Sequence, residues 1–442
     1  MVFGRLALSG CSNGSRWLAF AVMSEAQLKH TELIEAGPAA ATANKPSRFD
    51  RRKSEILDAA GGLFNRRGLK DSTLEVVAAE IGLNLKSLRY YFKRRDDLVA
   101  AAFMRSIAKH LALAEGALAV DDFDERIRFF ISSYFAMQAR IRKGEEPELV
   151  HFGDLRALSE PHLGEVGDAY VGMFRVVRRL FRPAEMSWTP EQCNANAHLL
   201  LSQLHWSVIW LHGYVDDDFE RVADRLSDIL LKGIGSKALG LKIAITRVPT
   251  PFSESDRLSQ ESFLCAATKL INDQGYKGAS VDRISAELGV TKGAFYHHNE
   301  NLDALMVACF ERTFSIIRQA QGFALRQEAD GMSHVAAAAT SLVSRQMVPE
   351  GVVLRTSALT AIGPELRHEM EQRLALLTWR FQDMLNDGVI DGSVRLCDMR
   401  IAAEAVTAMI NSAQELQRWV PTATFANAAE LYVRPLFRGL SR

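Results

Sequence analysis

The sequence predicts an all-α protein built as two similar halves, on three observations. Apolar residues recur at helical spacing nearly throughout, as in Ile56, Ala60, Leu63 and Phe64, and again in Phe263, Ala267, Leu270 and Ile271. Sustained period-two alternation is missing; the stretch IAITRV at 243–248 has extended character but no partner. The chain also repeats itself. Ala59-Ala60 and Ala266-Ala267 stand 207 residues apart, and the same offset pairs Leu57 with Leu264, Leu63 with Leu270, Gly68 with Gly275, Lys70 with Lys277, Gly82 with Gly289 and Leu98 with Leu305. A slightly smaller offset pairs Pro161 with Pro364, Phe219 with Phe425 and Gly233 with Gly439, so the duplication reaches both ends.

Length and charge bound the rest. At 442 residues the chain exceeds one ordinary core. Apolar residues make up 48%, which excludes a disordered chain, and the net charge is zero, so any attraction to nucleic acid must be local. The five cysteines are scattered without a CxxC pair, which signals neither a disulfide framework nor a zinc module and fits a cytoplasmic protein. No stretch reaches the ~20 apolar residues of a membrane span. Residues 1–47 read as a mobile tail, whose run Trp17–Met23 is short for a signal peptide and includes a second candidate start, Met23. A first head then spans 48–98 and a first body 99–235; a linker, 236–251, leads to a second head, 252–305, and a second body, 306–442.

Each head reads as a helix-turn-helix. Gly68 ends a first helix, Thr73 caps a short helix from Leu74 to Ile81, Gly82-Leu83 turns, and Asn84 caps a second helix from Leu85 to Phe92. The second half repeats the plan with Gly275, cap Ser280, helix VDRISAEL, turn Gly289-Val290, cap Thr291 and helix KGAFYHH. The second helix of such a unit can enter the major groove.

The segments GVTKGAFYHH (Gly289–His298) and GLNLKSLRYYFKRRDDL (Gly82–Leu98) closely resemble the helix-turn-helix signature of the tetracycline-repressor (TetR) family of bacterial regulators. The resemblance implies a three-helix DNA-binding head and a larger helical ligand-binding body in each half, with dimerisation through the last two long helices. It assigns DNA contact to Thr73, Asn84, Lys86, Ser87, Arg89, Tyr90, Tyr91, Lys93 and Arg95, and to Ser280, Thr291, Lys292, Gly293, Tyr296 and His297. This sequence departs from the pattern where Leu85-Lys86 replaces a Lys-Gly pair and Arg89 a tyrosine. It departs again at Asn299, in place of an aromatic, and at Leu302, in place of a basic residue. The heads also differ in charge: Arg48–Leu98 carries twelve Lys/Arg against eight Asp/Glu, Phe252–Leu305 five against eight. Phosphate neutralisation therefore favours the first head.

In the first body, Pro190 opens a long helix and a final helix runs from Phe219 to Ile234; the counterparts run from near Cys397 to Pro421 and from Phe425 to Gly439. His198, His205 and His212 recur every seven residues, about 10.5 Å apart along a helix, too far to share one metal ion. Trp206, Trp210, His205, Tyr170 and Phe174 combine aromatic area with polar tips, the expected lining of a pocket for an apolar or aromatic effector in the first half. The counterpart helix IAAEAVTAMINSAQELQRW is small-residue rich and suits close packing. No nucleophile elbow or P-loop is present, so neither catalysis nor a cofactor is expected. The expected partners are double-stranded operator DNA and a small molecule. The linker, extended, reaches up to about 50 Å, which lets one chain act as an intrachain pseudo-dimer. The alternative is a homodimer through the first half, with the second half as an interaction module.

Overall fold

The computed structural model describes residues 47–69, 71–236, 260–275, 280–298 and 301–441. The N-terminal tail up to residue 46, most of the linker with its IAITRV stretch, and Asn299 lie outside the described residues. The described chain is helical, with one isolated bridge, Gly235 to Val394, and no longer strand among the described residues.

The first head comprises α1 (Arg48–Arg67), α2 (Leu74–Glu80) and α3 (Leu85–Tyr91). Its body holds α4 (Arg95–Leu118), α5 (Phe123–Arg142), α6 (His162–Arg178), α7 (Pro190–Trp210) and α8 (Phe219–Lys232). The second head follows as α9 (Gln260–Gln274), α10 (Val281–Leu288) and α11 (Lys292–His298). Its body holds α12 (Leu302–Leu325), α13 (Gly331–Arg345), α14 (Pro364–Asp391) and α15 (Met399–Ser412), and closes with α16, a π-turn at Ala429–Val433 running into Arg434–Arg438.

The sequence signals for helix ends act as expected. The Thr73 hydroxyl accepts from Val76 N, Asn84 Oδ1 from Ser87 N, and the Ser280 hydroxyl from Arg283 N. Gly68 closes α1 at φ +73° and Gly289 closes α10 at φ +66°. Thr189 and Gln192 form a reciprocal capping box ahead of α7.

Two predicted helices are broken. The expected run from Cys397 to Pro421 stops at Ser412, because the Ser412 carbonyl accepts His198 Nε2 at 3.0 Å; a 3₁₀ turn, Ala413–Glu415, and a short turn, Leu416–Trp419, follow. The last helix begins at Ala429 and passes through a π-turn. Pro435 has no N–H to give, and its ring disfavours the α register behind it.

The two bodies share a seam in which α7 and α8 pack against α15 and α16. Three pairs of its hydrogen bonds are related by a single offset of 206 residues. Asn194 Nδ2 donates to Trp419 O at 2.8 Å, and Arg400 Nη1 to Gly213 O at 3.5 Å. His198 meets Ser412 O, and Trp206 Nε1 donates to Glu404 Oε2 at 2.9 Å. Gly235 N donates to Phe437 O at 2.9 Å, and Ser441 N to Leu231 O at 3.1 Å. Adding 206 to each residue of one bond gives its mate, which is a local two-fold axis written in hydrogen bonds.

Candidate nucleic-acid interface and effector cavity

In the first head, Leu88 is buried against the core and turns the opposite side of α3 outward. Lys86, Arg89, Tyr90 and Lys93 recur at helical spacing and all are exposed. Tyr90 is 73% exposed and packs edge-on against Phe49 at 5.8 Å, while half-buried Tyr91 lies 5.0 Å from the same ring. Ser87 is half-buried; Thr73 and Asn84 are exposed, with one side-chain oxygen each committed to a cap. Arg95 turns inward: its guanidinium donates to Ser72 O at 3.0 Å and to Leu69 O, and meets Asp96 at 3.2 Å. Those bonds tie the α1–α2 loop to the start of α4 and leave Arg95 poorly placed for phosphate.

In the second head Lys292, Gly293, Thr291 and Tyr296 are exposed and Ser280 is half-buried, whereas the His297 side chain lies outside the described set. Lys292 Nζ sits 2.6 Å from Asp282, whose hydrogen bond and charge raise the lysine's pKa. The equivalent acid in the first head, Glu75, stands 3.7 Å from Arg89. Both α3 and α11 therefore hold a cation beside a carboxylate, more tightly in the second head.

Among the ties of each head to its own body is one asparagine that bonds it twice. Asn65 Nδ2 donates to Leu149 O at 2.9 Å, and its Oδ1 accepts His151 N at 3.0 Å. Asn272 repeats this with Val353 O at 2.8 Å and Arg355 N at 3.1 Å. Sequence reasoning passed over this pair, although Asn65 and Asn272 stand at the repeat offset of 207 residues.

A cavity of about 710 Å³ opens inside the first body and is closed on one side by the second half. Tyr170, His205 and Trp206 line it, as do His110, Phe152, Arg156 and Glu415. The other two expected lining residues lie elsewhere. Phe174 stacks on Trp419 at 3.6 Å, and Trp210 packs on Phe135 and Tyr214. Trp206 also serves the seam, since its Nε1 crosses to Glu404. The corresponding space in the second body has shrunk to about 30 Å³. There Ile317 stands 207 residues on from His110, and Asn411 stands 206 on from His205.

The fold and its two heads define a tandem helix-turn-helix protein. Residues 56–102 and again 263–309 match the family model of the bacterial regulatory proteins, tetR family, so a tetR-type head domain is present twice in the chain. Over 64 residues it is 38% identical to the transposon Tn10 TetC protein of Escherichia coli, an alignment covering 14% of this chain. The chain spans about a third of that relative, 32% of its length. Among solved structures, PfmR of Thermus thermophilus is 18% identical, with 38% of this chain and 94% of that one covered, at a TM-score of 0.31. Apo AibR is 19% identical, with 41% and 100% covered, at a TM-score of 0.34. Among the described residues no helix is long and apolar enough to cross a membrane.

Proposed function

We propose that the chain is a cytoplasmic, ligand-responsive transcription regulator, a repressor, that grips operator DNA as a covalent pseudo-dimer. In this reading residues 48–98 and 252–305 are the reading heads, 99–235 and 306–442 the bodies, and 236–251 the tether. The observation that carries it is the seam of paired bonds at one constant offset, since that is the relation two subunits of a symmetric dimer would have. The exposed row Lys86, Arg89, Tyr90 and Lys93 supports DNA contact, with Lys292 and Tyr296 as its weaker counterpart. The first-body cavity supports a small-molecule effector, which acts by favouring one spacing of the heads over another.

A second reading has two chains pair through their first halves while the second half serves as an interaction module. It draws on Lys292 being held by Asp282 in a head with an excess of acids. Light scattering of the protein with and without selected operator DNA separates them. One chain per site is expected; two chains per site would mean the second reading.

A further inference from the structure

We propose that the first-body cavity takes an organic anion, its charge seated against Arg156, Arg355 and Arg418, and that Arg156 passes occupancy on to the second head. The proposal rests on the cavity being the effector site.

Three features support an anion. Across the lining, five arginines stand against three glutamates. At one end, Glu415 alone receives Arg156 at 2.9 Å and Arg355 at 2.5 Å, while the Arg418 guanidinium lies 5.2 Å from the Trp419 ring centre. Asp273 lies beyond Arg156 on α9 and does not line the cavity. Burial pushes Glu415 up, but Arg156, Arg418 and His198 outweigh it, so the carboxylate stays ionised and the cluster keeps surplus positive charge. Three guanidiniums gathered around one carboxylate are costly to bury, and a bound anion relieves that cost. Deeper in, His205 Nε2 is buried with no hydrogen-bond partner among the described residues, which offers a polar group of the ligand a place. Phe152 and Tyr170 supply a surface for an apolar or aromatic body.

Arg156 carries the coupling because it faces two ways. Its Nη2 holds Glu415 at the cavity wall, and its Nη1 donates to Asn272 O at 2.7 Å, on the first helix of the second head. Asn272 is also one of the ties of that head to its own body. A ligand anion competes with Glu415 for Arg156, and any shift of the guanidinium pulls on the end of α9. The corresponding bond to the first head comes from Arg367 of the second half, which also lines the cavity and donates to Arg66 O on α1 at 3.2 Å, with Leu359 O and Ile362 O as its further partners.

Two probes with nearly the same aromatic body test the charge: 8-anilinonaphthalene-1-sulfonate and uncharged N-phenyl-1-naphthylamine, titrated by fluorescence into the full chain. The sulfonate is expected to bind at one per chain and at least tenfold more tightly, with Arg418→Gln removing most of that preference. Equal affinities, or no binding of the sulfonate, overturn the anion assignment. His205→Trp, which fills the cavity, is expected to abolish binding of both. Undiminished binding there puts the probes elsewhere and overturns the reading of the cavity itself. Hydrogen exchange tests the coupling. Sulfonate binding is expected to speed exchange about tenfold in Gln260–Gln274 and not in Arg48–Arg67, and Arg156→Gln should erase the difference. Equal change in both helices, or none, overturns the role of Arg156.

Discussion

Gly233 and Gly439 occupy each other's side-chain space. Each ends the last helix of its body at positive φ, +76° and +97°. A Cβ built on Gly233 would lie 2.5 Å from Gly439 N, and one built on Gly439 would lie 2.7 Å from Gly233 N. The ends of the two bodies' last helices cross at the local two-fold axis, in contact that only glycine allows. Gly233→Ala or Gly439→Ala is therefore expected to cost about 2–4 kcal/mol, from backbone strain and overlap together. Urea unfolding measures this, and a loss under about 1 kcal/mol would show that the crossing yields easily.

The heads should differ in their dependence on salt. Lys93→Ala is expected to weaken binding to all sequences alike and to lower the salt slope by about one phosphate. Arg89→Ala is expected to cost about 1–3 kcal/mol at one base position if it reads a base with two hydrogen bonds. Lys292→Ala should cost less than either, because Asp282 already holds that lysine. Arg95→Ala should destabilise the first head through Ser72 and Leu69 while leaving the salt slope unchanged. Titrations at several salt concentrations check all four, and a Lys292→Ala loss matching that of Lys93→Ala would reverse the ranking of the heads.

The asparagine latches predict a local effect. Asn65→Ala or Asn272→Ala leaves a body carbonyl and an N–H unpaired, at about 1–3 kcal/mol. Hydrogen exchange should quicken in the head that carries the substitution and not in the other. Loosening of both heads by either change would show that they move as one body.

Acid should weaken the first body. Burial pulls His205 down to about 3 and His110 to about 4, from an ordinary value of 6.5. The unfolded chain takes up these protons first, so the stability is fully present above about pH 6.5 and is lost as pH falls from there toward 4. Fully lost, this comes to at most about 3 kcal/mol for His110 and about 5 kcal/mol for His205. His205→Asn, which copies Asn411 of the second half, is expected to flatten the stability profile between pH 7 and pH 5; an unchanged slope would assign it to other groups.

Legibility from sequence followed range. The caps at Thr73, Asn84 and Ser280 and the glycine ends at Gly68 and Gly289 depend on neighbours three or four residues away, and all could be read directly. The repeat register likewise anticipated that Gly233 and Gly439 correspond. Local pattern could not reveal that Arg95 faces inward, or that Phe174 stacks on Trp419 across the seam. The break at Ser412 is of the same kind, since the His198 that takes its carbonyl lies 214 residues away.

The seam between α7 and α15 has a consequence for how the molecule changes over generations. In a homodimer every substitution arises on both sides of the axis at once, so each must tolerate its own reflection. Here the mates are separate codons, and they have already parted: His198 reaches a carbonyl where Glu404, its counterpart, receives an indole. Such a seam can drift like that of a heterodimer without ever needing to find its partner. A tether keeps that partner near at an effective concentration on the order of millimolar. On the proposed pseudo-dimer reading, a second protein with a similar surface would have to displace a neighbour that cannot leave.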